Sequence, residues 1–131
     1  MQAVYEGIRT HLGNNLPSVQ VFLNHAPQGQ EFPYAVITPL PSPVSRTNSS
    51  TRRFQRFRVT VYCDIEDGQR ASNIYITISD ALNNTSPVIT GWNTTALIET
   101  SSQGPLDVYI EGQLIGTEYS ADFELQITQT R

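Results

Sequence analysis

The stretch "STRRFQRFRVTVYC", Ser50 to Cys63, carries four of the eight arginines, Arg52, Arg53, Arg56 and Arg58, interleaved with Phe54 and Phe57. Arginine alternating with aromatic residues is a pattern seen in single-stranded nucleic-acid binders, where cations follow the phosphates and rings stack on bases. Parity gives a second reading. From Phe57 onward, Phe57, Val59, Val61 and Cys63 share one face, and Arg56, Arg58, Thr60 and Tyr62 share the other. A period of two with β-branched residues predicts a half-buried strand with one polar face.

The rest of the chain fits around that strand. Val4, Ile8 and Leu12 recur every fourth residue and predict a helix ending near Gly13-Asn14. "SVQVFLN" (18–24) and "YAVITPL" (34–40) read as strands flanking the loop "NHAPQGQEFP" (24–33). Proline and serine crowd "PLPSPVSRTNSSTRR" (39–53), which predicts a long flexible loop. Ala71, Ile74, Ile78, Ala81 and Leu82 predict a second helix. "TTALIETSS" (94–102) and "LDVYIEG" (106–112) read as strands around a Gly104-Pro105 turn. In "EYSADFELQIT" (118–128), Tyr119, Ala121, Phe123, Leu125 and Ile127 point inward. The expectation is one α+β domain over residues 1–131: a two-layer fold, a mostly antiparallel sheet with two α-helices packed on one face, in the order α-β-β-β-α-β-β-β.

Composition narrows the function. The chain has 131 residues, a net charge of −4 and no lysine. An acidic domain lacks the overall footprint of a nucleic-acid binder, although a local basic patch remains possible. One cysteine excludes an internal disulfide framework. No signal-peptide pattern and no apolar run long enough to span a bilayer occur, so a cytoplasmic protein without a membrane role is expected. His11 and His25 belong to no metal-binding motif, no phosphate-binding or nucleophile motif is present, and Asp64, Glu66 and Asp67 read as a solvated turn. No catalytic residue, metal or cofactor is expected, and the protein is read as a non-enzyme.

Three readings of the arginines stand side by side. Arg56 and Arg58 can contact phosphates. They can pair with Asp122 and Glu124, which share their two-residue spacing on the last strand. They can also pair with those carboxylates in another copy, because a face with arginine on one strand and acid on another can meet itself head-to-tail. Arg46, Arg52 and Arg53, in the predicted loop, are candidate contacts to a partner protein.

The segment "VFLNHAPQGQEFPYAVITPL" (21–40) resembles the tail-completion, or tail-terminator, proteins of long-tailed bacteriophages, in its Ala26-Pro27-Gln28 loop and its Pro33-Tyr34 pair opening the next strand. "RFRVTVYCD" (56–64), "RASNIYITISDALNN" (70–84) and "YSADFELQI" (119–127) continue the likeness in element order. The resemblance implies a structural virion protein assembled in the bacterial cytoplasm. It implies a homohexameric ring on the head-proximal end of the tail, in contact with the tail tube protein and the head–tail connector. That ring would stop tube polymerisation and pass DNA through its lumen without specific binding. A neighbouring neck ring, of the head-completion or stopper kind, is the alternative position, and a single-stranded nucleic-acid-binding domain is the alternative class.

Overall fold

A computed structural model of the chain describes residues 2–16, 19–27, 30–31, 33–41, 44–46, 50–64, 68–83, 93–95 and 97–130. Two helices, α1 (Gln2–Asn15) and α2 (Gly68–Leu82), accompany one seven-stranded sheet. The strands are β1 (Gln20–Leu23), β2 (Tyr34–Pro39), β3 (Val44–Arg46), β4 (Ser50–Asp64), β5 (Asn93–Thr94), β6 (Ile98–Ile110) and β7 (Gln113–Thr130). The main path runs β1-β2-β4-β7-β5, with β3 on β4 and β6 on β7. β1 and β2 are parallel and the remaining pairs antiparallel, so the sheet is mixed.

Both helices cover the same face. Val4, Ile8 and Leu12 of α1 and Ile74, Ile78 and Leu82 of α2 join Ala35, Ile37, Phe57, Val59, Val61, Cys63, Ala121, Phe123, Leu125 and Ile127 in one buried cluster. Phe57 and Phe123 lie directly opposite across β4 and β7 and stack with centroids 5.6 Å apart. Tyr5 meets Phe57 edge-on at 6.3 Å. Such offset and edge contacts add to the area term of burying large rings. His11 Nε2 lies 2.8 Å from the Ala81 carbonyl oxygen and ties α1 to the end of α2.

The framework is a ladder of β4 on β7, from Ser50↔Thr130 to Asp64↔Gly116. At the usual rise per residue it is about 50 Å long. It begins before Phe57, where the sequence predicts a loop. The expectation of a loop through 39–53 is corrected: Val44–Arg46 pairs with Thr51–Arg53 as a hairpin, and β4 starts at Ser50. Inward parity continues through Thr51 and Gln55, only 6% and 2% exposed. These are polar residues in core-facing positions, so an apolar count misses them. Tyr5 Oη donates to Gln55 Oε1 at 3.1 Å, which satisfies the buried amide oxygen.

A second correction concerns Gly104-Pro105. The chain does not turn there; β6 runs through the pair with a register shift. Gly104 has φ +131°, and a β-carbon would stand 2.9 Å from the Glu118 carbonyl oxygen. Only glycine fits that close approach. The reversal comes at Glu111-Gly112, with φ 50° and 79°. Positive φ at both central residues of a two-residue loop marks a type I′ hairpin turn. Among the described residues four strands, β1 to β4, precede α2, where the sequence predicts three.

Candidate interface surfaces

The face of the sheet away from the helices holds the polar residues of the opening stretch. Arg56 lies opposite Glu124, and Arg58 opposite Asp122. Arg56 Nε donates to Glu124 Oε2 at 2.7 Å. Arg58 grips Asp122 with two donors, Nε to Oδ1 at 2.8 Å and Nη2 to Oδ2 at 3.3 Å. All four partners belong to one chain. The hydrogen bond from Arg58 to Asp122, and then the carboxylate's charge, hold the guanidinium above its ordinary pKa. Ser101 Oγ also donates to Asp122 Oδ2, at 3.2 Å. A shallow polar cleft of about 230 Å³ lies here, lined by Arg58, Ser101, Ser102, Gln103, Ser120 and Asp122. Its one carboxylate is thus already engaged by Arg58 and Ser101.

Beside the ion pairs the same face turns aromatic. Tyr34 and Tyr62 are register partners with rings stacked at 4.9 Å, and Phe22 meets Tyr34 edge-on at 6.2 Å. Burial pushes both phenol pKa values up, and the Glu118 carboxylate adds to the rise at Tyr62. Of the quoted loop motif, Ala26 is half-buried, Pro27 is exposed and its carbonyl oxygen accepts from the Gln30 N–H, and Gln28 lies outside the described residues. Pro33 precedes β2 and delivers Tyr34 to the stack.

Arg46, Arg52 and Arg53, the arginines of the predicted loop, are spread along β3 and β4. Arg46 stands opposite Thr51 in the register. Arg52 is exposed opposite Ser45 and Thr128. Arg53 is half-buried at a core-facing position opposite Val44 and Ile127. Arg52 and Arg53 are strand neighbours and point to opposite faces, so they do not form one patch. Of the acidic turn, Asp64 ends β4 exposed, and Glu66 and Asp67 lie outside the described residues.

Two features escape the sequence reading. One is Glu99 on β6, which accepts hydrogen bonds from Tyr75 Oη and, at 3.4 Å, from Ser79 Oγ on α2. Tyr75 also stacks on Tyr119 at 4.1 Å. Burial, then the bond to Glu99, raises the Tyr75 pKa. The other is the β6 edge, where Ile98, Leu106 and Tyr109 are exposed, at 58%, 39% and 59%. A charge count holds a signal for that side of the molecule: no basic residue occurs between 71 and 130, against seven acidic ones. Among the described residues no group of three or more His, Cys, Asp or Glu is placed to hold a metal ion, and no helix is long and apolar enough to cross a membrane.

Comparison with known proteins agrees with this layout. A chain from the virion of a native gene transfer agent particle superposes with a TM-score of 0.65 at 16% identity, over 97% of this chain and 92% of that one. At that identity the match establishes the fold. No curated protein matches the sequence. The sequence model of tail completion protein gp17 matches residues 4–107, a span from α1 into β6. The chain belongs to the tail completion protein gp17 family.

Proposed function

We propose that the protein is a structural component of the virion that forms a ring, a hexamer, at the head-proximal end of the tail. There it ends polymerisation of the tail tube and joins the tail to the head connector. The observation that carries this reading is the family match across residues 4–107, which takes in both helices and the Arg56–Arg58 strand. The partners are further copies of the chain, the tail tube protein and the connector or stopper protein. DNA passes through the lumen without being held. No reaction and no cofactor enter this role.

The electrostatics support passage over binding. Arg56 and Arg58 are neutralised by Glu124 and Asp122, so these two cations are already engaged and not offered to phosphate. With a net charge of −4, the domain as a whole repels a polyanion. Among the described residues the sheet ends in β1 on one side and β6 on the other, which suits head-to-tail contact between copies. The test is to add the purified chain to growing tail tubes and image them. Tubes capped at one end by a ring, with growth halted, support the role; unaltered tube lengths refute it.

A further inference from the structure

We infer that the free edge of β6 in one copy meets the free edge of β1 in the next, so that the sheet continues from subunit to subunit. This seam deepens the ring reading above and rests on it. The two strands lie at opposite edges: among the described residues β1 pairs only with β2, and β6 only with β7. An unpaired edge presents backbone N–H and C=O groups that a further strand can take up. Contact between two different edges is heterologous, the kind from which rings are built. Pro105 has no N–H, so it interrupts pairing along β6. That leaves residues 106–110 as the segment open to pairing with the four residues of β1, its register against β7 shifting between Val108 and Tyr109.

Both sides of such a seam are complementary. On the outer side, Leu106 pairs with Glu118, a position of β7 that alternates with core-facing Phe123 and Leu125. Phe22 shares that outer side through its pairing with Val36 and Thr60. Continuing the sheet sets the exposed Leu106 beside Phe22 of the next copy. On the helix side, Asp107 is exposed opposite the buried Thr117. The β1 edge offers there an open groove of about 420 Å³, lined by Arg9, Gly13, Val19, Gln20, Val21 and Phe22. Among the described residues Arg9 makes an exposed contact of 3.4 Å to Glu6. Such exposed pairs are weak and exchange readily. Asp107 brings the opposite charge to Arg9 across the seam. The occupant of each edge is therefore a second copy of this chain.

Disulfide trapping tests the seam cleanly, because the native thiol, Cys63, is 1% exposed. Arg9→Cys and Asp107→Cys chains, one of them tagged, are mixed under mild oxidation, with and without tail tubes. The two edges are four strand spacings apart, about 19 Å. A disulfide needs α-carbons within about 7 Å, so no bond can close inside one chain. The expected result is a covalent heterodimer of the two variants, and a ladder of larger oligomers from the chain carrying both substitutions. Leu106→Asp should weaken the association about tenfold with the fold intact. Heterodimer no more abundant than in urea overturns the seam. So does a predominance of Asp107→Cys homodimers, or capture of the tube protein by that cysteine. A wild-type chain that caps tubes while the cysteines stay unlinked removes the seam and keeps the tail-end role. Chains that link yet never stop tube growth keep the seam and remove that role.

Discussion

Arg58 and Asp122 face each other across β4 and β7 in a two-pronged ion pair within one chain, Nε to Oδ1 2.8 Å apart. Arg56 and Glu124 repeat the arrangement two residues along at 2.7 Å. Two of the four arginines that give "STRRFQRFRVTVYC" the look of a nucleic-acid strip are thus matched by carboxylates of the same sheet. Their energetic weight is modest. The Arg58 and Asp122 side chains are 49% and 22% exposed. A partly exposed pair contributes ~0.2–1 kcal/mol, less in high salt. Arg58→Asp and Asp122→Arg should each destabilise the chain, and the double exchange should recover most of the loss in urea denaturation. Equal, additive losses would show that the pair is not coupled.

The stacked Phe57 and Phe123 stand at the middle of the ladder, both 0% exposed. Phe123→Ala should cost ~3–5 kcal/mol through lost burial and a residual cavity. Chemical denaturation of the variant measures it. A cost near 1 kcal/mol would mean that this layer is not the centre of the core.

Gly104 carries the irregularity of β6. Its φ of +131° and the 2.9 Å approach to the Glu118 carbonyl oxygen leave no room for a side chain. Gly104→Ala should destabilise by ~1–3 kcal/mol and loosen the β6–β7 hairpin. Faster amide exchange at residues 106–110, with α1 unaffected, is the expected signature.

Tyr34 and Tyr62 make stability depend on alkaline pH. Their folded-state pKa values are raised, chiefly by burial, above the ordinary tyrosine value. The unfolded chain therefore loses these protons first. Their contribution is complete below about pH 10 and is lost as pH rises through the folded-state values. Urea midpoints should fall between pH 9 and pH 11, and less steeply in Tyr34→Phe/Tyr62→Phe. An unchanged slope in that variant would assign the loss to other groups.

The legible parts of the fold were those whose side chains obey one period. Val4, Ile8 and Leu12 mark α1, Ile74, Ile78 and Leu82 mark α2, and β7 alternates through Phe123 and Leu125. The same parity separates Arg56 and Arg58 from the core and matches their spacing to Asp122 and Glu124. Reading failed where polar residues occupy inward positions. Thr51 and Gln55 continue β4 into the core, and Gln55 is accommodated only because Tyr5, from a distant helix, donates to it. It failed again at Gly104-Pro105, where a local turn signal serves as a bulge because β7 is long enough to hold β6 on both sides. Glu99 and the exposed β6 edge were not legible. Their significance comes from which elements the fold sets beside them, and no spacing records that.

The most direct test of the tail-end role is the length distribution of tail tubes grown with and without the wild-type chain, imaged by electron microscopy. The account predicts tubes that stop growing and carry one ring of this protein at a single end. Tubes that elongate without limit and bear no ring would contradict it.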